Sequence, residues 1–268
     1  MKDQYTRENI RSTMLKLVVI RLDISGITNF DGVIEHLKKA SFMNEAFKRM
    51  RYLTRPRNPS PSKEYFSQNG TLPLSKNIQS EKYHFFECSL EESSKAFLDI
   101  TPESICLTVQ CDGAYNGSRK YTDFMIEVVE CFNDIDHFIS LDRIGIRKID
   151  SVDIDDLNKF SEFFDKDFIV KNDFVDSHNI RESTKTSIYF ENEIYYNVVQ
   201  YMAKKTNDSY HIVFDVDAHL DDADAVEHYV MNSSQLRELM YIEMQNKMFD
   251  FFKNIVTEEY LESCKIKG

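Results

Sequence analysis

One order of hydrophobic periods runs through this chain twice, and few folds accept it. Residues 15–24 (LKLVVIRLDI) alternate apolar and polar side chains and are rich in β-branched residues, the mark of a half-buried strand. Asn29 or Asp31 can cap a helix running to about residue 39, and a second helical piece is expected over 46–52. Strands follow at 83–90, 95–101 and 104–110, with turns at 91–94 and at the Thr101-Pro102-Glu103 corner. The helix after residue 117 carries Phe124, Met125, Val128, Val129 and Phe132 at helical spacing.

Residue 139 starts the order again. A strand over 139–149 (ISLDRIGIRKI) leads to a short helix capped by Asp153 and carrying Leu157, Phe160, Phe163 and Phe164. Strands at 184–190, 195–202 and 210–220 precede a long helix from about 233 to 256. The two openings, VVIRLDISGITNFDGVIEHL and DRIGIRKIDSVDIDDLNKF, agree in pattern more than in identity. The expected fold is α+β: two pseudo-repeated β-α-β(3-4)-α units over 1–137 and 138–268, with helices packed on one face of an antiparallel sheet. Duplicated units of this kind are the plan of TBP-like and helix-grip folds, a likeness that carries no function by itself.

Other classes are closed by what the chain lacks. Seven glycines in 268 residues, against the nineteen or so that an average usage of roughly 7% implies, form no G-x-G-x-x-G and no P-loop. No G-x-S-x-G and no H-E-x-x-H occurs either, and no cofactor is expected. Gly145 alone falls inside an expected strand, where glycine marks a bulge or a close backbone approach. The formal charge of −12 disfavours nonspecific contact with nucleic acid or anionic membranes. Five cysteines without a C-x-x-C, no run of about 18 apolar residues and a polar start read as a cytoplasmic chain with reduced thiols.

Three segments are candidates for chemistry. The acidic stretch 215–228 sets Asp215, Asp217 and His219 at i, i+2, i+4, a spacing that on a strand faces three ligands one way. With Asp221 they form a candidate divalent-metal site, although Leu220 and Val226 stand where an EF-hand needs glycine and glutamate. The alternative is a solvated strand face opposite a core face of Ile212, Phe214, Val216, Ala218 and Leu220. The converse segment, 46–63, carries Lys48, Arg49, Arg51, Arg55, Arg57 and Lys63 and no acid. Its three prolines suit neither a helix nor a central strand, so 54–80 is expected as a long surface loop. Arg49, Arg51, Arg55 and Arg57 could meet a protein partner or nucleic-acid phosphates. On the last helix Met240, Met244 and Met248 form part of a wide apolar stripe that suits the core, a partner surface, or both. Asp150, Asp153, Asp155 and Asp156 suit helix capping better than acid–base work.

Three short segments carry a resemblance. DRIGIRKIDSVDI (142–154) resembles the Arg-Ile-Gly-Leu-Arg-Tyr-Ile-Asn strand motif of a sporadically distributed, uncharacterised bacterial family. FDVDAHL (214–220) and FDFFKNIVTEEYLE (249–262) are similar to that family's Asp-x-Asp strand and its Phe-x-x-x-Ile-Thr helix end, as is the helix start at Tyr121. Ile146 and Asp150 depart from the family's commonest letters. The resemblance implies no known activity; its patchy distribution implies defence or toxin–antitoxin gene neighbourhoods. The expected function is a non-catalytic, protein-binding or regulatory subunit that is homo-oligomeric or part of a complex, away from membranes. A metal-dependent hydrolase or nuclease using Asp215, Asp217, His219 and Asp221 is one alternative. A nucleic-acid sensor using 46–63 is the other.

Overall fold

The computed structural model describes residues 2–11, 13–46, 51–57, 81–91, 94–111, 119–156, 159–165, 168, 182–205, 209–227, 229 and 232–266. For 44–46, 51–57, 81–83, 85, 87–91 and 94 it describes the backbone alone. The strands are β1 (Leu15–Ser25), β2 (Arg51–Arg57), β3 (Glu81–Glu91), β4 (Ser94–Thr101), β5 (Ser104–Cys111), β6 (Ser140–Ile154), β7 (Glu182–Glu191), β8 (Ile194–Lys204) and β9 (Tyr210–Leu220). They form one antiparallel sheet in the order β2-β3-β4-β5-β1-β6-β9-β8-β7. β1 and β6 pair at its centre, Ile20 opposite Ile146 and Arg21 opposite Gly145, so both halves of the chain share a single sheet. Outward from that seam the order is β5-β4-β3 on one side and β9-β8-β7 on the other, with β2 added beyond β3.

The alternation seen in the sequence decides which face is covered. Val18, Ile20, Leu22 and Ile24 of β1 are buried, with Ile144 and Ile146 of β6 and Ile212, Phe214, Val216, Ala218 and Leu220 of β9. Complete burial of such a side chain is worth about 1.5–3 kcal/mol. The cover comes from α1 (Phe30–Leu37), α3 (Arg119–Ile135) and the long C-terminal helix. Between them lie the short helices α2 (Ser41–Ala46), α4 (Phe160–Phe163) and α5 (Ala223–Glu227). The long helix is continuous but not uniform: α6 (Ser233–Arg237), a π-helical segment (Glu238–Met244) and α7 (Gln245–Ile255). A last short helix, α8 (Glu258–Ser263), starts at Thr257, whose hydroxyl accepts from the Tyr260 N–H.

Several elements depart from the sequence reading. Of the helical piece expected over 46–52, residues 47–50 lie outside the described residues, Ala46 belongs to α2, and residues 51–57 are strand β2, paired with β3, rather than helix and loop. Cross-strand pairing outweighs local propensity here. Pro56 is tolerated because β2 is an edge strand, where a missing N–H need break no ladder bond. Asp153 caps no helix; it lies within β6, bonded to Lys205 Nζ at 2.8 Å and His211 Nδ1 at 2.6 Å. Asn29 does cap α1, accepting from the Gly32 N–H at 3.1 Å. The ends of α3 and α1 are joined by buried Asp136, whose carboxylate accepts from the backbone N–H groups of Thr28, Asn29 and Phe138. Among the described residues, no helix is long and apolar enough to cross a membrane.

Candidate functional site

The sheet has two faces, and the sequence candidates divide between them. On the face away from the long helix, Arg147 of β6 donates from Nε to both Asp215 oxygens at 2.9 and 3.1 Å. Arg143 reaches Asp217 at 3.3 Å. His219 follows, 3.7 Å from Asp217 and 3.9 Å from Asp221, with its ring stacked on Tyr195. The structure therefore brings Asp215, Asp217, His219 and Asp221 into one row, but turns the first two toward arginines. Those guanidinium groups supply the positive charge that a divalent cation would have supplied. Among the described residues no group of three His, Cys, Asp or Glu side chains is placed to hold a metal ion. Gly145 creates no bulge and no close backbone approach; β6 runs in register past β1 there, and what lies across the glycine is the Arg143 side chain.

At the β7–β8 corner of this face the surface turns apolar. Phe190 stands opposite Tyr195, with ring centroids 4.7 Å apart, and Ile188 stands opposite Asn197. Ile188 is 68% exposed, Phe190 62% and Tyr195 40%. β7 is an edge strand of the sheet.

The methionine stripe belongs to the core. Met240, Met244 and Met248 are buried against the sheet, so they are no partner surface; only Ile242 on the opposite flank stays exposed. The physical reason is that the long helix packs against α3 as well as against β6 and β9. Of the basic candidates, Arg51, Arg55 and Arg57 lie on β2, described by its backbone, and Arg49 lies outside the described residues.

The helix-covered face holds what the sequence reading missed. In the phase of Ile144 and Ile146, β6 continues with Lys148 and Asp150, which line a cavity of about 290 Å³. Lys148 lies opposite Val18 on β1 and Val216 on β9, and Asp150 opposite Leu15 and Phe214. The long helix and the N-terminal segment border the cavity with Phe252, Tyr241 and Arg7. That segment is held by the C-terminus: the Arg11 N–H donates to Cys264 O at 2.8 Å and the Ile266 N–H to Asn9 O at 3.0 Å. Lys2 donates to the Val256 and Lys253 carbonyls near the end of α7, the favourable place for a cation on a helix.

Arg7 is pinned at the cavity wall. Its Nε donates to Asn246 Oδ1 at 2.8 Å and its Nη2 to the Tyr241 carbonyl at 2.7 Å, and its guanidinium lies 4.4 Å from the centre of the Tyr241 ring. Tyr241 sits within the π-helical segment, where the wider turn alters the usual carbonyl pairing. Burial pushes the Lys148 ammonium down to about 8, with the Arg7 charge adding to the effect and Asp150 opposing it. Burial likewise pushes Asp150 up to about 7 against the charge of Lys148. A signal for this pair was present in the sequence: a lysine and an aspartate at core-phase positions of a strand.

No family model and no curated protein matches the chain. Solved structures with some likeness include a rolling circle replication initiator protein from Geobacillus stearothermophilus (11% identity, 91% of this chain and 86% of that one, TM-score 0.29). Others are the S. pombe Pct1 RNA triphosphatase (6% identity, 91% and 86%, TM-score 0.19) and the di-domain ARO/CYC StfQ of the steffimycin biosynthetic pathway (6% identity, 91% and 98%, TM-score 0.17). At these scores none of them carries an argument about this chain.

Proposed function

We propose that the chain is a non-catalytic binding protein that acts as a subunit of an assembly and associates with its own kind through β7. The observation that supports this is the group of three exposed apolar side chains, Ile188, Phe190 and Tyr195, on or beside an edge strand. An edge strand with apolar side chains is a template for pairing, and soluble proteins ordinarily blunt such edges with charge. Two β7 strands paired across a two-fold centred on Ile188 would set Lys185 of each opposite Glu191 of the other, a carboxylate that Lys247 of its own chain already pairs. The setting we propose, on the resemblance of the RIGIR and DVD strands, is a bacterial defence or toxin–antitoxin module. Light-scattering mass across a concentration series tests the reading. The wild-type chain should have the mass of a dimer or larger species, and Ile188→Asp/Phe190→Asp that of one chain with an unchanged circular dichroism spectrum. A wild-type mass of one chain up to about 100 μM, a range in which weak specific dimers form, overturns it.

A further inference from the structure

We infer that the cavity under α7 is a binding site for a small organic anion with an apolar body, its head group held by Lys148 and Arg7. The charge inventory points that way. Among the described residues that line the cavity, Arg7, Lys148 and the exposed Arg11 stand with two carboxylates, Glu8 and Asp150, while Arg119 is paired with Asp123 at 3.6 Å. This surplus of positive charge lies inside a chain whose formal charge is −12. Glu8 is a weak counter-ion, 4.0 Å from Arg7 and with its side chain 64% exposed, whereas the Arg7 side chain is only 10% exposed. Lys148 and Arg7 line the same space, and the Arg7 charge adds to the cost of keeping the Lys148 ammonium charged there.

Shape and lining complete the case. The volume of about 290 Å³ sits at the small end of the range for metabolite-sized pockets. Phe252 and Met248 of α7 add apolar side chains to the lining. Arg7 is already fixed by Asn246 and Tyr241, so holding an anion would cost it little rotamer freedom. A carboxylate and a phosphate share the chemistry this site selects; the neutral analogue of either does not.

Calorimetric titration at low ionic strength tests this with 3-phenylpropionate, phenyl phosphate and the neutral 3-phenylpropanol as probes. At least one anion should bind in the micromolar to millimolar range, at least about tenfold more tightly than the alcohol. Which anion binds more tightly identifies the head group. Lys148→Gln should weaken that binding about tenfold or more. Glu8→Gln, an exposed change that does not threaten the fold, should tighten it about threefold by removing a competing charge. Binding of the alcohol as tightly as the anions overturns the inference, as does affinity unchanged or reduced in Glu8→Gln. The absence of heat for both anions up to about 5 mM overturns it as well.

Discussion

The Arg143 guanidinium lies over the bare Cα of Gly145, so close that a Cβ on Gly145 would sit 2.8 Å from Arg143 Nη1. From there Arg143 reaches Asp217 on the neighbouring strand. Two residues of one short motif are thus a single device: the glycine clears the path that the arginine takes to its partner. Gly145→Ala should displace Arg143 and uncouple it from Asp217. Net stability should move by less than about 1 kcal/mol, because the lost, partly exposed pair is offset by the reduced freedom of the unfolded chain. The informative measurement is a double-mutant cycle by urea denaturation. Asp217→Asn should cost less in the Gly145→Ala background than in the wild type, and equal costs would refute the coupling.

Asp150 makes stability depend on pH in the range where most carboxylates are already silent. Its folded value, near 7, lies above its ordinary value, so the folded chain keeps a proton that the unfolded chain has released. Stability from this group is therefore full below about pH 4 and is lost as pH rises toward 7. Lys148 acts in the opposite sense above pH 8, where the folded chain sheds a proton that the unfolded chain retains, so stability rises again. Asp150→Asn should remove a downward slope of at most about 1.4 kcal/mol per pH unit between pH 5 and 7. Denaturation midpoints at half-unit intervals would reveal it, and parallel profiles for the two proteins would contradict it.

Met244 is fully buried on the sheet-facing side of the long helix. Met244→Ala should cost about 2–5 kcal/mol, the range for truncating a large core side chain. Ile242→Ala, on the exposed flank, should cost less than about 1 kcal/mol. A reversed ranking in guanidinium melts would mean that the stripe faces outward after all.

Asp136 ties the end of α3 to the loop before α1. Burial opposes its charge, but the N–H groups of Asn29, Thr28 and Phe138 outweigh that and hold its carboxyl below the usual range. A depressed value stabilises above the ordinary carboxylate range and is lost as pH falls through the folded value. Asp136→Ala should lower the melting temperature by several degrees at pH 7, with the difference shrinking below pH 4. A difference independent of pH would show that the charge is not what those donors hold.

The strands of the meanders were legible because period-two alternation is written locally. Residues 210–220 were bounded correctly, since every second side chain of β9 enters the core. The methionines were legible only as apolar at helical spacing; whether they are buried depends on which elements pack against the long helix. Residues 51–57 were misread because a proline-rich basic run has little strand propensity of its own. The strand exists through its ladder with β3, a partner some thirty residues away.

The candidate sites divide along the same line. Local pattern alone established an α+β chain, an Asp-x-Asp strand face set against a core face, and a glycine out of place in a strand. It did so because alternation and helical spacing follow from bond geometry within a few residues. Only the tertiary structure decided that Arg143 and Arg147 neutralise those aspartates, since their pairing depends on β6 lying beside β9. Only the tertiary structure brought Arg7 from the start of the chain to Lys148 in its middle and Tyr241 near its end. The cavity has no local signature because no single segment encloses it. It exists where three distant stretches meet, and the burial that shifts its charges comes from all of them at once.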